Sequence, residues 1–173
     1  MNFGEILIYL NPLLVLSAIY FGYKNIRHND NSNNKNFDTL LYVILGNHTL
    51  ILILLAYYFL KTDLRFEYVS DYSSNELSIG YKLAGVWAGR DGTLLIWTWA
   101  TTLTLVLERF FHKVKGLQRD LTSIIGTILL LSLCMIQLYI NPFEMNEIVP
   151  DNGNSLNILL LSPYMIIHPP IVF

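Results

Sequence analysis

Cysteine is nearly missing: the chain has one in 173 residues, so it closes no internal disulfide. That residue, Cys134, lies in an apolar run, where burial disfavours the thiolate, and redox chemistry carried by a thiol of this chain is not expected. Charge is also sparse, at 14% of residues, with 11 Lys and Arg against 13 Asp and Glu. A balance so close to neutral gives no basic face for nucleic acid. His48 stands without a second histidine or carboxylate at ligand spacing, which is weak evidence for a metal site.

What the chain does have is apolar length. Hydrophobic residues make up 53% of it, and the charged residues cluster between long apolar runs. The pattern predicts an all-α polytopic membrane protein: four transmembrane helices, at about 6–23, 39–60, 94–111 and 121–140, and the start of a fifth at about 165. The whole chain, 1–173, reads as a single membrane domain. The first run has neither a basic leader nor a small-residue cleavage site, so it is expected to stay as a helix, with Asn11 and Pro12 as a place to kink. The segment 24–38, with NDNSNNKN, reads as a flexible connector. The loop from 61 to 90 is long enough to be either disordered or functional, and its end, from Ile79 into Trp87, reads as a short interfacial segment. Asn141, Pro142 and Phe143 end the fourth span.

Lys and Arg counts set the expected orientation. One set of loops and flanks holds Lys24, Arg27, Lys35, Arg109, Lys113, Lys115 and Arg119, and the other holds Lys61, Arg65, Lys82 and Arg90. The richer side is expected inside, which puts the amino terminus and the loops 61–90 and 141–163 outside. The cluster from Glu108 to Arg119 is read as this topology signal rather than as a binding patch. Asn47 and His48, in mid-span, are read as groups pairing across a helix interface or marking a site.

The densest motif is Trp87 to Trp99, WAGRDGTLLIWTW, which contains all three tryptophans. Indoles favour the membrane boundary, so the segment is expected at the bilayer surface. Gly85, Gly89 and Gly92 permit sharp turns or close approach, and Asp91 and Thr93 are expected to accept from the free N–H groups of the following helix. An interfacial anchor with a helix cap accounts for these residues without a ligand.

This stretch resembles the WGxxEGSLLLW signature of the CcmF-type cytochrome c biogenesis proteins, the haem lyase large subunit. YVSDYSSNELSIGYKLAGVW, ahead of it, is similar to that family's approach segment. A second match follows in the right order: NPFEMNEIVPDNGNSLNILLLSPYMIIHPPIVF resembles the family's NPF, LNPLLQDPG and HPPLLY. The similarity covers about 68–173 and, more loosely, the spans before it. Asp91 and Thr93 stand for the family's Glu and Ser, and Ile158 stands for a proline. The family's downstream tryptophan-rich WWD segment and later histidines are not in this sequence, so the chain is expected to be an amino-terminal part, a natural split subunit or a truncated frame.

The resemblance implies cytochrome c maturation: haem b, as substrate or transient ligand, held on the outer face for covalent attachment to the CxxCH of apocytochrome c. Lyase activity would belong to a larger complex. Implied partners are the remaining CcmF-like part, a haem chaperone, apocytochrome c, a thiol-reducing partner and the lipid bilayer. The implied location is a bacterial or archaeal cell membrane, with the mitochondrial inner membrane as alternative. His168, in HPP, matches the family's outer haem-ligating histidine and is expected as an axial iron ligand, with Trp87 and Asp91 in the supporting loop. Pro169 and Pro170 fix the backbone after it, and Tyr164, Met165, Ile166 and Ile167 could cover a porphyrin edge. On residue type alone, a histidine hydrogen-bonded at a helix terminus is the favoured reading, and the resemblance is what turns it to the ligand. A non-catalytic transmembrane subunit and a transporter component are the other readings; the transporter one lacks paired broken helices.

Overall fold

The structure, a computed structural model, describes residues 1–28, 31–111, 116–157, 161 and 164. It has helices α1 (Phe3–His28), α2 (Asn31–Lys61), α3 (Glu67–Tyr72), α4 (Ile79–Ala88), α5 (Arg90–Phe111) and α6 (Leu117–Tyr139). Among the described residues there is no strand, only an isolated antiparallel bridge between Phe66 and Met145. The four long helices, α1, α2, α5 and α6, are each long and apolar enough to cross a membrane. This all-helical architecture is the one the hydropathy pattern predicts; the expected fifth span lies outside the described residues.

The spanning helices close a ring in which α1 and α5 each pack against both α2 and α6. Two apolar clusters fill it. One, with Ile8, Ile51, Leu55, Phe59 and Leu95, is sealed by Phe66 and Phe143 from the loops; the other joins Val15, Phe37, Leu41, Leu105 and Leu130. Leu13, Leu16, Ile53, Ile125 and Leu129 face outward. Such a surface suits lipid, where backbone groups must be satisfied within each helix.

The helices depart from the hydropathy limits where tertiary partners exist. The stretch 24–38 is not a free connector: α1 runs to His28 and α2 begins at Asn31. Asn25 Nδ2 donates to Asp120 Oδ2 at 2.8 Å, and Phe37 is 2% exposed beneath the Arg109 guanidinium, 4.9 Å from its ring centre. Contacts made after the chain turns back therefore order the described flanks of a sequence too polar to order itself. Pro12 lies within α1 and does not end it.

Arg109 closes the end of the bundle at the α1–α2 and α5–α6 connections. Its side chain is 5% exposed and pairs with Asp38 at 2.6 Å and Asp120 at 3.1 Å, and it also donates to Asn34 Oδ1. Arg119 lies 3.9 Å from Asp38. Two cations of the basic cluster are thus neutralised inside the fold; 112–115 lie outside the described residues.

Candidate functional site

Loops 61–90 and 141–157 meet at the other end of the bundle and are stitched together by backbone bonds. Glu67 N donates to Glu144 O at 3.0 Å, Asn146 N to Arg65 O at 2.8 Å and Asn154 N to Ser70 O at 2.7 Å. Asn146 adds side-chain bonds from Nδ2 to Leu64 O and Ser70 Oγ, at 2.8 and 3.0 Å. The second loop starts with an Asx turn, in which Asn141 Oδ1 accepts from Phe143 N at 3.0 Å. That turn drives Phe143 inward, fully buried, against Phe66, Tyr58 and the bare backbone of Gly4. The long loop is therefore ordered, not a disordered tether.

Tyr68 is the hub of this end. Its hydroxyl accepts the Gly89 N–H at 3.1 Å and lies 3.2 Å from the carbonyl oxygens of Gly85 and Val86. Burial pushes the phenol's pKa well above its ordinary value, so it stays neutral and keeps its hydrogen. The motif glycines are explained by this packing. A Cβ on Gly85 would enter Phe59, on Gly89 it would enter Tyr72 and Tyr68, and on Gly92 it would fall 1.6 Å from the Val86 carbonyl oxygen. The three glycines are close-approach positions rather than left-handed turns.

The expected cap differs from the one observed. Helix α5 begins at Arg90, so Asp91 lies inside its first turn, where a carboxylate favours the helix dipole. The Thr93 hydroxyl donates to Trp87 O at 3.2 Å, satisfying a carbonyl at the end of α4 instead of an N–H of α5. Nor do the tryptophans form one interfacial group. Trp99, nine residues beyond Arg90 and so about 14 Å along the helix, donates from Nε1 to Thr49 Oγ1 at 3.0 Å, tying α5 to α2 within the bundle. Trp87 packs on the apolar cluster, and its buried Nε1 has no hydrogen-bond partner.

Asp91 faces an open cleft of about 330 Å³ whose wall also holds Glu67, Asp71, Glu144 and Arg90. Arg90 Nε is 3.4 Å from Asp91 Oδ1. His168 lies outside the described residues, so it is not seen beside Trp87 or Asp91. The chain leading to it is seen at Leu161, whose carbonyl accepts the Tyr81 hydroxyl of α4 at 2.6 Å. His48 is deep in the bundle, its Nδ1 3.3 Å from Thr102 Oγ1, and Asn47 Nδ2 donates to Asn11 Oδ1 at 2.6 Å. Pairing across helices, one of the two readings open for these residues, is thus present. Sequence reasoning passed over Tyr68 and Asn146; the only available signal was a tyrosine about twenty residues before a glycine-spaced motif, which specifies no partner.

No family model matches the sequence. The chain is 32% identical over 136 residues to the cytochrome c-type biogenesis protein NrfE of Haemophilus influenzae, a match covering 78% of this chain and 21% of that protein. It is 26% identical over 148 residues to the cytochrome c-type biogenesis protein CcmF of Escherichia coli, covering 82% and 22%. A solved structure of cytochrome c heme lyase CcmF superposes with a TM-score of 0.78 over 97% of this chain and 26% of that one, at 16% identity, a likeness of fold. The chain spans about a fifth of the length of these curated relatives.

Proposed function

From the premise that the chain is a relative of the NrfE- and CcmF-type cytochrome c-type biogenesis proteins, we propose that it is a membrane subunit of cytochrome c maturation that helps to hold haem for attachment to apocytochrome c. The observation that carries this reading is the bond from Tyr81 to Leu161, which fastens the approach to His168 onto the helix that ends in the tryptophan motif. Leu161, seven residues before His168, is thereby held at the same end of the bundle as the tryptophan motif.

The described residues fit haem in part. The buried, unpartnered Trp87 indole N–H is a donor suited to a propionate or another acceptor. The cleft beside Asp91 is a poor place for propionates, since Glu67, Asp71 and Glu144 share its wall. Asp91 therefore supports the site by holding the start of α5, and Trp87 is the closer of the two to a ligand role. His168 is the proposed axial ligand, through a neutral imidazole nitrogen. Bound haem b would supply the iron and the vinyl groups that take up the two CxxCH thiols; this chain's part is to bind and orient it.

A second ligand would come from the remaining CcmF-like part or a partner chain, so haem binding by this chain alone would be weak. Delivery by a haem chaperone and reduction of the apocytochrome thiols by another partner complete the proposed complex. We place the motif end, with the amino terminus, on the outer face of a bacterial or archaeal cell membrane, as the Lys and Arg distribution favours. An impermeant thiol reagent should then modify a cysteine at the exposed position Glu76 and spare one at the exposed position Lys35.

The deciding measurement is the visible spectrum of the reconstituted complex with His168→Ala. Loss of the haem spectrum, restored by added imidazole, is expected. Wild-type haem content and spectrum in that variant would remove His168 as ligand.

A further inference from the structure

A layer of polar side chains crosses the centre of the bundle, and the haem reading makes no use of it. Asn11, His48, Thr98, Thr102 and Gln137 are each at most 1% exposed, and they come from all four spanning helices. They lie where the two apolar clusters meet. On α1 Asn11 stands between Ile8 and Val15, on α2 His48 between Ile44 and Ile51, and on α5 Thr98 and Thr102 between Leu95 and Leu105.

The helix register brings these residues to one level. Asn47 bonds to Asn11, which sets His48 beside it, and Thr102 Oγ1 is 3.3 Å from His48 Nδ1. On the far side Gly22 faces Ile124 and Asn25 bonds to Asp120. Carrying that antiparallel register along α1 and α6 places Asn11 within one turn of Gln137.

Hydrogen-bond accounting leaves a mixed set of groups unmet. The Thr102 hydroxyl gives its hydrogen to Thr98 O at 2.8 Å, so towards His48 it can only accept. The neutral ring then carries its hydrogen on Nδ1, and Nε2 is a bare acceptor. His48 Nε2, Asn11 Nδ2 and both amide atoms of Gln137 have no partner. Two donors and two acceptors, all uncharged and fully enclosed, match a molecule that both donates and accepts; a bare cation would leave the donors unmet.

We propose that this layer is an internal water site, in which ordered water bridges His48 Nε2, Asn11 Nδ2 and the Gln137 amide. The site makes the bundle interior wet at membrane depth and fixes the His48 ring in one tautomer. It is independent of haem binding and of His168.

The test is a structure of the full chain in lipid nanodiscs at a resolution that shows ordered water. Compact density within hydrogen-bond distance of His48 Nε2 and of Asn11 Nδ2 or Gln137 is expected. Direct closure of Gln137 onto His48 without solvent density would overturn the proposal, and so would a larger continuous density. Thermal unfolding of Gln137→Met in the same lipid gives a separate readout. A lower Tm is expected, because a water bond is lost; an unchanged or higher Tm means that the amide was an unmet burden and also overturns it.

Discussion

The phenol oxygen of Tyr68 accepts the backbone N–H of Gly89 at 3.1 Å, joining α3 to the break between α4 and α5. The same hydroxyl lies 3.2 Å from the Gly85 and Val86 carbonyls. Tyr68→Phe keeps the ring against Phe59 and leaves these groups unmet in a buried place. Stability should fall by about 1–3 kcal/mol, read as a lower Tm in lipid. An unchanged Tm would mean that other groups serve Gly89 equally well.

Glycine substitutions should separate close approach from mere helix placement. Gly92→Ala puts a methyl 1.6 Å from a backbone carbonyl, which cannot swing away as a side chain could, so folded protein should be lost or sharply reduced. Gly46→Ala meets nothing within 4 Å and should hold or raise stability by roughly 0.5–1 kcal/mol. Yield of monodisperse protein in detergent, measured side by side, gives the comparison.

Arg109 is the most enclosed cation among the described ion pairs, at 5% side-chain exposure between Asp38 and Asp120. Arg109→Leu leaves Asp38 only the more distant Arg119 and Asp120 only the Asn25 amide, and should cost about 1–3 kcal/mol. Adding Asp38→Asn removes one of the under-paired charges and should recover part of the loss. A double-mutant cycle on thermal unfolding measures that coupling; no recovery would show that Asp38 is solvated rather than paired.

Acid should loosen the stitching between the two motif loops. The Arg65 side chain beside Asp63 holds the Asp63 carboxyl below its ordinary value of 3.8. A carboxyl whose folded value is depressed contributes stability that is fully present above the unfolded value and lost as pH falls through the folded one. Arg65 O accepts from Asn146 N, so exchange protection of the Asn146 amide should hold near neutral pH and decline below about pH 4. Asp63→Asn should reduce that protection already at neutral pH.

The sequence by itself determined that the protein is an all-helical membrane protein, with the four spanning segments seen among the described residues, and it singled out the stretch from Trp87 to Trp99. Both are local properties. Apolar length sets a span wherever the chain folds, and a glycine spacing can be seen without its partner. The exact helix ends were less legible: α5 takes in Arg90, Asp91 and Gly92, and α1 and α2 nearly absorb the polar stretch between them. The ends of α1 and α2 are held by Asn25 meeting Asp120 and Phe37 meeting Arg109, and the start of α5 by Tyr68 and Thr93.

Only the tertiary structure decided what the motif residues touch. Gly89 and Gly92 are small because Tyr68, Tyr72 and the Val86 carbonyl occupy the space a side chain would need. Thr93 serves the helix before it, Trp99 reaches Thr49 on α2, and Asn11, His48 and Gln137 come to one level from helices far apart in sequence. Hydropathy places each of these residues at a depth along its own helix. Which atoms meet there follows from helix rotation and register, and those are fixed by close packing across the bundle.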